Sequence, residues 1–167
     1  MANPKYGSLM FYPVVHNFKW REHISKVVDP GIEIELNFRP HITILYGFDN
    51  SVIDLEWLRI VVNNFVLNNP FSLHAEHVTT FDNNSAVVKI DIIDLNGNLT
   101  KLNDILQNEF ECNIEYPVYL PHITIGRLLH ASNIIEHKQV DVKEFGFCNL
   151  NEGIFRYYDG VKNIIDI

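Results

Sequence analysis

The segment Pro40-His41-Ile42-Thr43-Ile44 returns as Pro121-His122-Ile123-Thr124-Ile125, 81 residues further along a chain of 167. A repeat near half-length implies two similar lobes with one copy each. In a strand, residues i and i+2 lie on one face about 6.5 to 7 Å apart. His41 therefore shares a face with Thr43, and His122 with Thr124, while the isoleucines turn the other way. A single copy is often only a pair of polar groups satisfied within a sheet, but two copies point to a joint purpose. In-line attack at a phosphodiester is such a purpose: one group takes a proton from the attacking oxygen and another, opposite, protonates the leaving oxygen. Imidazole, with an ordinary pKa near ~6.5, serves in either role near neutrality. The two hydroxyls would donate to the non-bridging oxygens from fixed positions, without a metal.

The segments that must carry these residues are legible in outline. Gly7 to Val15 predicts a strand, His16 to Val28 a short helix stopped by Asp29, Pro30 and Gly31, and Ile42 to Phe48 another strand. Leu55, Leu58, Val62 and Phe65 recur at helical spacing, with Ser51 as the expected N-cap and a stop at Asn68, Asn69 and Pro70. Phe71 to Phe81 and Ser85 to Ile93 predict a hairpin around Asp82, Asn83 and Asn84. Leu99, Leu102, Leu106 and Phe110 mark a further helix. Strands are expected within Tyr116 to Leu129, Val140 to Val142, Phe145 to Leu150 and Ile154 to Tyr158. This order predicts an α+β fold with helices outside antiparallel sheets.

Composition narrows the class. An apolar content of 47% is enough to close a core, and no low-complexity tract intervenes, so one domain over residues 1–167 is expected. A net charge of −8 has the wrong sign for gripping long nucleic acid through many phosphates, which favours a small ligand. Cys112 and Cys148 have no metal-ligand spacing and read as reduced thiols. The opening MANPKYGSLMFYPVV lacks the pattern of a signal peptide, and no apolar run approaches the ~20 residues that span a bilayer. A cytoplasmic location is the expectation, with no membrane partner.

Aromatic residues near the motifs are candidates for stacking on a base: Tyr12, Tyr46 and Tyr119 first, then Phe48, Trp57 and Tyr116. Arg127 follows the second motif and could hold phosphate, with Arg39 weaker. His74 and His77 invite a zinc reading, but their spacing is not H-E-x-x-H and a strand would turn them apart. His16, His23, His130 and His137 read as surface or locally bonded residues.

Two H-x-[ST] motifs flanked by apolar residues, with His122-Ile123-Thr124-Ile125-Gly126-Arg127 carrying a basic residue after the second, resemble the two-histidine (2H) phosphoesterase superfamily. The resemblance implies a bilobal, pseudo-twofold α+β fold whose antiparallel sheets line a central cleft. It implies His41, Thr43, His122 and Thr124 as a catalytic tetrad that works without a metal or cofactor; beside it, Arg127, Tyr46, Tyr12 and Tyr119 are the residues read above as candidate substrate contacts. Members of that superfamily act on RNA ends with 2′,3′-cyclic phosphates, on 2′,5′-linked oligoadenylates and on cyclic oligonucleotides of bacterial immune signalling. The last group includes phage anti-CBASS nucleases, and an Asn- and Ile-rich chain leans that way. Hydrolysis of a cyclic nucleotide or oligonucleotide is thus the expected activity. An RNA 2′,3′-cyclic phosphodiesterase and a non-catalytic nucleotide-binding module are the alternatives.

Overall fold

The structure, a computed structural model, describes residues 5–15, 33–36, 39–81, 84–115, 117–129, 139–141 and 148–167. The described strands are β1 (Tyr6–Val15), β2 (Ile34–Leu36), β3 (Ile42–Asp49), β4 (Leu73–Phe81), β5 (Asn84–Asp94), β6 (His122–Leu128), β7 (Gln139–Asp141), β8 (Cys148–Tyr158) and β9 (Ile164–Asp166). The described helices are α1 (Leu55–Asn68) and α2 (Asn98–Glu109). The helix expected over 16–28 lies outside the described residues, as do parts of the strands expected at 140–142 and 145–150.

The strands form one antiparallel sheet in the order β7-β4-β5-β6-β3-β1-β8-β9, with β2 also paired to β6. The order reads as two halves, β7-β4-β5-β6 and β3-β1-β8-β9, related by a pseudo-twofold axis between β6 and β3. The paired register between these two strands is the single couple Ile42 and Ile123, the middle residues of the repeated motifs. Beyond it β3 departs, and β2 takes the place beside β6, with Glu35 opposite Arg127.

Both helices pack on one face. Leu58 and Val62 of α1 and Leu99, Leu102 and Leu106 of α2 are fully buried against Leu9, Phe11, Ile42, Ile44, Ile90, Ile123 and Ile125. Each such aliphatic side chain contributes roughly 1.5 to 3 kcal/mol by leaving water. The motif isoleucines are thus the seam of the core, which forces the intervening histidines and threonines to the opposite face.

Two local details differ from the sequence pattern. Asp54, not Ser51, caps α1: its carboxylate accepts the Trp57 N–H at 3.0 Å, while the Ser51 hydroxyl and N–H both bond Asp49. A carboxylate next to the helix N-terminus is also favoured by the helix dipole. At α2, the Asp94 carboxylate accepts the Leu99 and Thr100 N–H groups from outside the helix. Gly47 has φ +116°, and a Cβ there would meet the Asn113 carbonyl oxygen at 2.1 Å, so only glycine fits. No helix among the described residues is long and apolar enough to cross a membrane.

Candidate active site

The antiparallel couple Ile42 and Ile123 sets His41 across the junction from Thr124, and Thr43 across from His122. The fold therefore brings the four motif residues together on the face away from the helices. Each is half-buried, neither sealed in the core nor fully in solvent.

The two histidines are held alike. His41 Nδ1 lies 3.0 Å from the Arg39 carbonyl, and His122 Nδ1 lies 2.8 Å from the Leu120 carbonyl, each two residues back across a proline. A carbonyl can only accept, so Nδ1 donates in both and the lone pair of the neutral ring belongs to Nε2. Burial holds both imidazoles below the usual histidine range, with the carbonyl bond opposing it. Around His122 the Lys89 ammonium lowers the value further, the Asp91 carboxylate raises it, and the charge of His41 lowers it.

Where β3 leaves β6, side chains serve as hydrogen-bond donors to its backbone. The Tyr119 hydroxyl donates to the Thr43 carbonyl at 2.9 Å, and the buried Asn103 amide on α2 donates to the Ile44 carbonyl at 2.8 Å. Ile44 is skipped between the couples Leu9 with Leu45 and Met10 with Thr43. Ile125 is skipped likewise between Val88 with Gly126 and Lys89 with Thr124. These bulges turn Tyr46, opposite Ser8, and Arg127, opposite Val87, onto the face of the motif threonines.

The remaining candidates are distributed as follows. The Tyr12 ring lies 5.3 Å from His41 and under the Arg156 guanidinium at 4.9 Å, with its hydroxyl 3.7 Å from the Met10 sulfur. Burial pushes its phenol upward. Tyr46 and Arg127 are exposed. Tyr119 packs against the core and spends its hydroxyl on Thr43. Trp57 lies on the helix side, lining a cavity with Val52, Asp54, Glu109 and Phe110. Phe48 is fully buried. His74 and His77 lie on β4, His74 exposed and His77 half-buried, and among the described residues no three His, Cys, Asp or Glu side chains gather as a metal site. Cys112 is half-buried, its thiol pushed up to about 11. Tyr116, His16, His23, His130 and His137 lie outside the described residues.

Sequence reasoning missed Lys89 and Asp91, which stand on β5 opposite Thr124 and His122. Their signal was present: Val87-Val88-Lys89-Ile90-Asp91-Ile92 places two charges at i and i+2 in an apolar strand, the same pattern that exposed the motifs.

No curated protein matches the chain. Among solved structures, the PDE domain of MHV ns2 is 12% identical with a TM-score of 0.53, covering 98% of this chain and 99% of that one. A structure described as a phosphoesterase is 15% identical with a TM-score of 0.57, covering 98% and 96%. At these identities the likeness concerns the fold, and it extends over nearly the whole of each chain. The sequence pattern of the 2'-5' RNA ligase superfamily matches residues 21–144, a span holding both His-Ile-Thr motifs, and the chain belongs to that superfamily of 2H phosphoesterases.

Proposed function

We propose that the protein is a phosphodiesterase that opens cyclic nucleotides or cyclic oligonucleotides by general acid–base catalysis, with His41 and His122 as the acid–base pair and Thr43 and Thr124 as donors to the phosphoryl oxygens. The reading is carried by the meeting of the two motifs at Ile42 and Ile123, which gives two imidazoles with the same tautomer on either side of one junction. Each Nε2 can exchange a proton near neutrality, and the hydroxyl donors sit on the same strands. Imidazole and hydroxyl groups perform this chemistry without a metal. The likenesses to a PDE domain and a phosphoesterase agree with the class of reaction.

The net charge of −8 supports a small substrate over long RNA. Signalling oligonucleotides of the kind that anti-CBASS nucleases destroy fit that size. In a 3′,5′ linkage the neighbouring 2′-hydroxyl is the nucleophile: one histidine takes its proton, the other protonates the departing 5′-oxygen, and a 2′,3′-cyclic phosphate end results.

Mass spectrometry of a panel of cyclic mono-, di- and trinucleotides and an RNA ending in a 2′,3′-cyclic phosphate tests the proposal. Linearisation of a cyclic oligonucleotide, abolished by a 2′-deoxy substitution, is the expected result. Inertness toward all cyclic nucleotides with rapid opening of the RNA end would move the substrate to RNA termini. Binding without turnover by the wild type would leave a nucleotide-binding module.

A further inference from the structure

The pseudo-twofold axis relates residues of unlike chemistry. On β5, Asp91 stands opposite His122 and Lys89 opposite Thr124. The matching places on β1 hold Tyr12, its ring against His41, and Met10, opposite Thr43. The Lys89 ammonium contacts the Asp91 carboxylate, and the lysine is only 8% exposed. Their counterparts also touch, but as a phenol on a thioether.

Stability does not explain the ion pair. Taking the ammonium and part of the half-buried carboxylate out of water is costly, and apolar replacements of buried pairs are often more stable. The matching place in the first lobe holds the Tyr12 and Met10 pair under Arg156 and carries no ion pair between its two strand residues. Among the described residues, those set beside His122 include Lys89 and Asp91 from β5 and His41 just before β3; beyond Asp91, Glu76 and His77 lie at the β4 bulge, 3.5 Å from each other.

We propose that Lys89, as a contact to the phosphoryl oxygen, and Asp91, as a positioning residue, make His122 the general acid and leave His41 the general base. The proposal rests on the phosphodiesterase reading above. In the empty site the ammonium offsets the carboxylate, and the buried imidazole beside them stays neutral. A phosphoryl oxygen that draws on the ammonium uncovers the Asp91 charge, and His122 then takes up a proton from solvent. His41, beside the Tyr12 ring with the Arg156 guanidinium above it, faces no such carboxylate among the described residues and remains a base. The attacking hydroxyl loses its proton to His41 Nε2 as the new P–O bond forms, and His122 Nε2 gives its proton to the leaving oxygen as the old one breaks. Exchange with water restores both rings.

The test combines a titration and a leaving-group comparison. NMR titration of the His122 Cε1 proton, identified by its loss in His122→Ala, is expected to show a lower midpoint in Asp91→Asn and a higher one in Lys89→Met, with His41 moving less in both. Adenosine 3′-monophosphate should raise the His122 midpoint in the wild type and less so in Asp91→Asn. In kinetics, His122→Ala should lose about 10²- to 10⁴-fold on uridylyl-(3′,5′)-adenosine but ten-fold or less on uridine 3′-(4-nitrophenyl phosphate), whose leaving group needs no proton. His41→Ala should lose heavily on both. Should either single variant fail to fold, Lys89→Met with Asp91→Asn removes both charges beside His122 and is expected to abolish the rise caused by the monophosphate. Equal movement of both histidines, or relief of His41→Ala instead of His122→Ala by the nitrophenyl ester, would overturn the proposal. The titration needs no turnover, so a wild type inert toward every diester would sink the phosphodiesterase reading while the titration still decides the role of the Lys89 and Asp91 pair.

Discussion

Tyr46 and Arg127 occupy equivalent places in the two halves of the sheet, each three residues past a motif threonine and each turned onto the threonine's face by a skipped isoleucine. Strict alternation would have sent both to the helix side. The bulges therefore give the site an aromatic flank on one lobe and a guanidinium on the other. Arg127→Ala is expected to raise KM by about 10- to 100-fold with little change in kcat, the size of a lost charge-assisted bond. Tyr46→Ala should weaken binding by about 1 to 3 kcal/mol if a base stacks there. Unchanged KM values in steady-state kinetics would remove these residues from the substrate site.

Both histidines are expected to be individually essential. His41→Ala and His122→Ala should each lower kcat by about 10²- to 10⁴-fold on a natural linkage, with smaller losses for Thr43→Ala and Thr124→Ala. Circular dichroism should report intact folds, because all four side chains lie outside the isoleucine core. A folded double-histidine variant with wild-type turnover would refute the assignment.

Turnover should survive EDTA, since the proposed acid–base and oxyanion groups are imidazoles and hydroxyls. Loss of activity on chelation, restored by a divalent cation, would overturn a metal-free mechanism.

Stability should fall on mild acidification. Burial lowers both imidazoles in the folded state from an ordinary value of 6.5, so below that value the unfolded chain binds more protons than the folded one. Their contribution is present above the unfolded pKa and is lost as pH falls through the folded values. Urea midpoints measured from about pH 7 down to about pH 5 should decline, and the decline should be shallower in His41→Gln with His122→Gln. An equal slope in that variant would contradict the assignment of the protons.

Asn103 is expected to act on the site from the far side of the sheet. Asn103→Leu removes the donor to the Ile44 carbonyl at the bulge and should cost about 1 to 3 kcal/mol in chemical denaturation. Tyr119→Phe likewise frees the Thr43 carbonyl, and if it orients the threonine, kcat should fall more than stability. Asn103→Leu with wild-type stability would show that water or another group replaces the amide.

The sequence by itself determined the repeat and its periodicity, and these are enough to put each candidate histidine and threonine on one face of its strand. His-Ile-Thr at two-residue alternation separates two polar side chains from the apolar side chains of a core strand, whatever the rest of the chain does. The helical spacing of Leu55, Leu58 and Val62 and of Leu99, Leu102 and Leu106 likewise marked the faces that cover those isoleucines. Tertiary structure alone decided that Ile42 faces Ile123, because strand pairing between segments 81 residues apart depends on which edges meet and not on local pattern. It also decided where the bulges fall, which needs the partner strand's register and a distant donor such as Asn103. Lys89 and Asp91 acquired meaning in the same way: two charges on a strand become candidates for the site only when the neighbouring strand is the one that carries His122 and Thr124.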